Sequence, residues 1–476
     1  MSVNIVGAGI AGLSSAICLA RKGLSSNLIS LQPSERSQSV MAEGGINASL
    51  DTMGDNDSVE EHFRDTIKGG CNIADETAVR GLCEAAPGIV SELVRLGAPL
   101  EMKDGVIMQR YFGGQKKRRT AYAKSSTGKI IMTALINECR KYEAAGLVKR
   151  YTGYRLSDIV VSDKTSCDAA RDVCCAQASQ RTLSGINITN IYSGEELFLP
   201  GKTILATGGL TGLFAGLTTG SLANDSDAAA IAFKKGVAFS NLEFIQYHPT
   251  TVPISGKRLL ISEAARGEGG RLCTYRSGEL WYFMEDKYPE LGNLMPRDVV
   301  SREEYAVIND PACDGRIYLD MRKISKSVFK GRLSDLRSEI IDYLGLDPMK
   351  KIIPVSPGIH YFMGGIRVDI GHRAGIAGLY AAGECACAYH GANRLGGNSL
   401  LGAIYGGLRA AVSVVDDIAE GAFKGGSAPD IDDIADFTYI ADSEAGIKSF
   451  MENELAKPIL PTGIGLDGGL CQWMIL

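Results

Sequence analysis

The sequence predicts an α/β protein: a Rossmann-like nucleotide-binding domain with an inserted α+β capping domain and a short helical C-terminal region. Three observations carry this. A strand, a glycine turn and a helix stand at the N-terminus. A second strand and glycine turn recur at Gly378–Glu384. The stretch between about 240 and 360 is patterned differently, with scattered proline and charge. Matching signals at both ends place 1–241 and 360–429 in one discontinuous domain, 242–359 in the cap and 430–476 in the C-terminal region.

In chain order, Ser2–Val6 is a short apolar strand, followed by Gly7-Ala8-Gly9-Ile10-Ala11-Gly12. Leu13–Lys22 has helical periodicity, Gly23 stops it, and Asn27–Leu31 is a second strand, so the chain opens with a βαβ unit. Residues 59–100 and 127–146 carry apolar positions three and four apart and predict helices. Residues 148–200 predict strands and turns around a polar insertion near 163–182. Lys202–Leu205 predicts a buried strand, and 226–236 and 400–419 predict helices. No internal repeat is visible.

Composition narrows the function. A length of 476 residues suggests two or three domains. Apolar residues at 45% and charged residues at 22% exclude a disordered chain. A net charge of −5 argues against a nucleic-acid partner. No apolar run approaches the roughly 18 residues of a membrane span, and no basic leader precedes the first strand. A cytoplasmic protein without a membrane partner is expected, with its 12 cysteines reduced. Cys174-Cys175 and the Cys385, Cys387 pair lack zinc spacing, so no metal is expected.

A GxGxxG pattern alone is weak, since 57 of 476 residues are glycine and chance yields about one match. Its context is strong. It follows a strand and opens a helix, as a dinucleotide site requires. Gly7 permits the tight turn, Gly9 admits pyrophosphate, Gly12 lets helix and strand pack, and the helix N-terminus offers N–H donors. The second strand ends Ile29-Ser30-Leu31 without the acid that a simple NAD site places there.

Six further stretches are more specific. They are Ala42-Glu43-Gly44-Gly45-Ile46, Glu243–Thr250, Ser262–Gly270, Pro296–Arg302, His360–Gly365 and His390–Leu401. In this order they resemble the flavoprotein family that contains L-aspartate oxidase and the flavoprotein subunits of succinate dehydrogenase and fumarate reductase. The resemblance covers about residues 1–415 and implies FAD and a four-carbon dicarboxylate substrate.

The chemistry of the residues agrees. A dicarboxylate needs cations and donors at both ends in a dry site. His248, His360 and Arg394 are candidates for that clamp, Ser262 adds a hydroxyl and Gln246 an amide. Glu263 matches a family acid and is a candidate proton relay. Arg297, in its Arg-Asp-Val-Val setting, is expected to transfer the proton, which requires a desolvated, cation-rich surrounding. For FAD the resemblance implies Gly7 to Gly12 (with Ala8, Gly9, Ile10 and Ala11 at the pyrophosphate). It also implies Gln38, Ser39, Val40, Met41, Ala42, Glu43, Gly44 and Gly45 along the flavin, with Asp227, Glu384, Ser399 and Leu400.

Within the family, several features favour the L-aspartate oxidase branch. The respiratory members attach FAD through a histidine six residues before the paired glycines. Gln38 stands there, so FAD is expected to be noncovalent. Only about 60 residues follow the stretch of resemblance that ends near 415, and Ala264-Ala265-Arg266 and Met295-Pro296-Arg297 have the oxidase wording. Two features lean the other way. Phe112 stands where bacterial oxidases often have a Glu that orients the substrate ammonium, and Phe362-Met363-Gly364 and Leu395-Gly396-Gly397 read as respiratory. Glu43 replaces the usual Gln and is a candidate ammonium partner.

The expected reaction is hydride transfer from L-aspartate to FAD, giving iminoaspartate. O2 (yielding H2O2) or fumarate would reoxidise the flavin, and quinolinate synthase would take up the product toward NAD. The alternatives are a soluble fumarate reductase or succinate dehydrogenase-type flavoprotein and, from another class, a noncatalytic FAD-binding scaffold.

Overall fold

The computed structural model describes residues 2–164 and 180–423. The apolar strand Val3–Val6 is buried along its whole length and becomes the middle of a five-stranded parallel sheet. In space the strands run Leu379–Ala381, Thr203–Leu205, Val3–Val6, Ser26–Ser30, Val148–Thr152. Parallel neighbours need crossovers. The first is α1 (Ile10–Arg21), every residue of which is buried up to Ala20. Gly12 permits this, because a Cβ there would strike the Gly7 carbonyl.

The helical stretch predicted over 59–100 is divided into two helices, α2 (Val59–Gly69) and α3 (Glu76–Arg95). Between them Cys71 and Asn72 both take φ of 60°, which no helix accommodates. Asp75 then restarts the helix, its side chain accepting from the Ala78 N–H at 2.7 Å. α4 (Thr127–Ala144) and α5 (Asp227–Lys234) follow the predicted periodicity closely.

The middle of the chain builds a six-stranded antiparallel sheet, ordered Lys257–Leu260, Ile245–Ile254, Ile353–Phe362, Ile317–Asp320, Arg271–Arg276, Glu279–Trp281. With it go α6 (Ala264–Gly267), α7 (Phe283–Lys287), α8 (Arg297–Ile308), α9 (Lys326–Lys330) and α10 (Ser334–Leu344). Together they enclose a hydrophobic core of their own, including Leu272, Phe283, Val300, Leu319, Leu336 and Ile353.

The chain then returns to the first unit through α11 (Asn398–Phe423). By length and composition Asn398–Glu420 is long and apolar enough to cross a bilayer, which corrects the expectation that no run approaches that length. The fold buries 72% of its apolar window, packing it on α1 and α3. The expected C-terminal region 430–476, Cys174 and Cys175 lie outside the described residues. Eight cysteines among the described residues are free.

Candidate active site

One cavity of about 390 Å³ runs from the first βα turn to the second sheet. At one end it is lined by Gly7, Ala8, Gly9, Ile10 and Ala11, where the sheet's central strand hands over to α1. The α1 N-terminus has no side-chain cap and no acid in its first turn. Its backbone N–H groups and dipole therefore face the cavity as an anion site. Ser39 Oγ accepts from the Ile10 N–H at 3.2 Å. Gln38, Met41, Ala42, Glu43, Gly44, Gly45, Asp227, Glu384, Ser399 and Leu400 also line it. Two expected cofactor residues do not. Gly12 is sealed against Gly7, and Val40 packs toward the core.

The other end is built from the second sheet. Gln246 and His248 are two apart on the strand Ile245–Ile254 and are both buried. Pro249 follows where the ladder is interrupted, between the pairs at His248 and Thr251. On the facing strand, Ile359 pairs with Tyr247 and Tyr361 with Gln246, so His360 is the extra residue of a β-bulge. Bulges re-aim side chains, and here the His360 ring meets the His248 ring edge-on at 5.2 Å. Thr250 N–H donates to His248 Nδ1 at 3.3 Å, which leaves Nε2 to carry the proton. His360 Nδ1 lies 2.7 Å from Thr219 Oγ1. Burial first, and Arg297 second, hold both imidazoles well below the usual histidine range.

Arg297 opens α8 directly after Pro296, in a first turn without a side-chain cap. Its Nε and Nη2 donate to Glu263 Oε2 at 2.9 and 2.7 Å, and its Nη1 to Gln246 Oε1 at 3.0 Å. Glu263 Oε1 accepts from Arg266 Nη2 at 3.0 Å and from the Gly113 N–H at 3.1 Å. Burial alone would raise the Glu263 carboxyl, but Arg297, Arg266 and Arg394 outweigh it and hold it at about 2. Arg394 Nη2 donates to Gln246 Oε1 at 2.9 Å, and its guanidinium lies 4.4 Å from the Tyr361 ring centre. Burial, with Arg297 beside it, lowers that guanidinium to about 9.

Gln246 departs from its expected role. Its oxygen accepts from both arginines, and its Nε2 donates to Asn393 Oδ1 and the Arg394 carbonyl at 2.7 Å each. An amide so engaged has no donor left for substrate; it stands behind the two guanidiniums and sets their spacing. Ser262, Glu263, Arg297, His248, His360 and Arg394 all line the cavity. Phe112 lines it too, its ring wedged against Gly44 and Gly396 so that a Cβ at either would lie 2.9 Å from it. Thr219 lies outside every motif stretch, while Thr250, Tyr361 and Arg266 lie within them but receive a role only from the bulge and the folded contacts.

Glu43 sits between the two ends. Its Oε2 is buried without a hydrogen-bond partner. Burial, then Glu339 of α10, pushes its carboxyl well above the usual range against Arg110 and Ser262. Glu384 is likewise raised by burial, to about 7. The uncapped helix, the glycine floor and the continuous passage to a cationic pocket fit FAD. Gly7 to Ala11 would hold its pyrophosphate, and the first turn of α11 its flavin. When bound, FAD supplies a hydride acceptor and donor.

Comparison with known proteins agrees. Residues 2–400 match the FAD binding domain family. The succinate dehydrogenase flavoprotein subunit of Bacillus subtilis is 41% identical over 419 residues, covering 87% of this chain and 69% of the relative. The fumarate reductase flavoprotein subunit of Mycobacterium tuberculosis is 34% identical over 434 residues, covering 87% and 70%. An L-aspartate oxidase of Ralstonia nicotianae is 34% identical over 417 residues, covering 87% and 72%. Among solved structures, an E. coli quinol fumarate reductase chain superposes with a TM-score of 0.77 at 31% identity, covering 95% of this chain and 74% of that one.

Proposed function

This chain belongs to the FAD-binding family of succinate dehydrogenase and fumarate reductase flavoproteins, and from that premise we propose that it interconverts succinate and fumarate by hydride exchange with FAD. One observation carries the reading. Arg297 and Arg394 line the pocket and Arg266 stands behind the single ionised Glu263, so this cluster carries two net positive charges, which matches a dicarboxylate dianion. Each guanidinium is a planar fork suited to a carboxylate, and the neutral imidazoles of His248 and His360 add donors without further charge. Arg297, desolvated and touching Glu263, holds the proton for the substrate carbon. The clamp would fix that carbon at the roughly 3–3.5 Å that hydride transfer needs.

A second reading, oxidation of L-aspartate to iminoaspartate, is favoured by Glu43. An ionised carboxylate there would lower the pocket to one positive charge and offer an ammonium partner. The raised carboxyl of Glu43 and the ring at Phe112 weigh against it. Anaerobic bleaching of the purified flavoprotein separates the two. The dianion reading expects succinate to discharge the flavin's visible absorption and fumarate to restore it. Bleaching by L-aspartate alone, with H2O2 released on admitting air, would establish the second reading and refute the first.

A further inference from the structure

The face that α8 turns inward is polar where a helix packed on a sheet is ordinarily apolar. Arg297, Ser301 and Glu304 recur at i, i+4 and i+7, so they stand on successive turns of one stripe. All three are buried, and Glu304 is 0% exposed. Ser301 Oγ and both carboxyl oxygens of Glu304 have no hydrogen-bond partner in the protein, and neither has Arg266 Nε. Arg266 and Arg258 are the cations that act on Glu304.

Such orphans are costly, about 1–3 kcal/mol for each neutral polar group and more for a charge. Buried donors and acceptors left in this way are the groups that internal water satisfies, each molecule bridging two to four of them. The inner end of the stripe is continuous with the active site. Arg297 Nη2 reaches Glu263 Oε2 at 2.7 Å, and Glu263 Oε1 meets Arg266 Nη2 at 3.0 Å. Tyr305, Ala306 and Asn309 form the exposed opposite face, and on Glu304's own face Ile308, one turn on, is only half-buried, so the boundary with solvent lies about a turn from Glu304.

We propose that the buried face of α8 is a proton line, in which Ser301 and bridging water connect Arg297 and Arg266 to Glu304, a buried acid that stores the transferred proton. This rests on the succinate–fumarate reading. In the reducing direction, hydride and one proton add across the carbon–carbon double bond, forming two C–H bonds at its expense. The proton leaves an Arg297 nitrogen. Arg297 recovers one from the Glu304 carboxyl through the line, and solvent reprotonates the carboxylate that results. Oxidation runs the same proton outward. Burial pushes the Glu304 carboxyl well above the usual range despite both arginines, which favours the proton-storing form.

Infrared difference spectra of the holoenzyme against Glu304→Gln test this directly. The expected result is a protonated-carboxyl band that E304Q lacks and that shifts promptly in deuterium oxide. A missing band, or one that does not exchange, overturns the line whatever the substrate is. In turnover, E304Q should lose about 10²-fold in fumarate reduction with succinate Kd unchanged. Its solvent isotope effect should rise, and E304D should restore part of the rate. Ser301→Ala, which removes a hydroxyl without altering charge, should slow turnover in the same sense. Wild-type turnover in E304Q would also overturn the proposal. A wild-type holoenzyme inert to both dicarboxylates would refute the functional reading instead, while the infrared result would still decide the line.

Discussion

Arg297 is the residue on which the chemistry converges, because its contacts leave little freedom. Two of its nitrogens are spent on Glu263 and one on Gln246. Its remaining donor capacity faces the cavity. Arg297→Gln keeps a polar group of lesser reach but removes the charge and the transferable proton. Dicarboxylate turnover should fall about 10³-fold or more while FAD content stays stoichiometric. Steady-state kinetics and the flavin spectrum of the variant check both halves. Gln38 makes a separate statement. It lines the cavity at the flavin end with an amide, a group that forms no covalent bond to an isoalloxazine. Acid precipitation should therefore leave all the yellow colour in the supernatant. Colour retained in the pellet would contradict noncovalent binding.

At the scale of elements, the join between Gly396 and α11 shows how the site is held. Asn47 Nδ2 donates to the Gly396 carbonyl and to Asn398 Oδ1, both at 2.7 Å, and Gln115 Nε2 also reaches that carbonyl at 2.7 Å. His62 Nε2 lies 3.0 Å from Asn398 Oδ1, and Asn398 Nδ2 donates to Thr66 Oγ1 at 3.0 Å. The network fixes the helix N-terminus that lines the flavin end. Gly397 sits inside it at φ +86°, with Asn47 where a Cβ would go. Gly397→Ala should cost about 3 kcal/mol and release FAD, read as a lowered Tm and a colourless protein. A stoichiometrically yellow variant would show that the network does not hold the cofactor end. This element also marks the limit of sequence reading. The glycine pair and the helix after it are visible as letters, as are the α1 turn and the arginine clamp. The bulge that turns His360 toward His248 is not. Neither is the break at Cys71 and Asn72, because periodicity reports which face is buried and not where φ changes sign. Gln246 was legible as a site residue, but its role was not, since saturation of an amide depends on partners 51 and 148 positions away.

Over the whole molecule, all five histidines of the chain are held below their ordinary range, by burial first in every case. The folded protein therefore refuses protons that the unfolded chain accepts near pH 6.5. The sign follows from proton linkage. Between a depressed folded pKa and the unfolded value, the unfolded state binds more protons, so stability from this source is complete above about pH 6.5 and erodes as pH falls. Glu43, Glu304 and Glu384, whose carboxyls are raised, oppose this in the same window, so the wild-type slope is a difference of the two groups. A single replacement isolates one proton. His390 is suited to it: burial sets it at about 3, its Nδ1 has no partner, and its ring meets Tyr361 and Tyr389 edge-on. His390→Asn should lose some stability at every pH, but its decline from pH 6.5 to 5 should be shallower than wild type, by a difference that approaches about 1.4 kcal/mol per pH unit at the acid end. Urea unfolding at four pH values measures the two lines. Parallel lines would mean that His390 is protonated in the fold as readily as out of it. The burial that keeps the neighbouring pocket free of titrating imidazoles would then have to be abandoned, and with it the fixed double positive charge that selects a dianion.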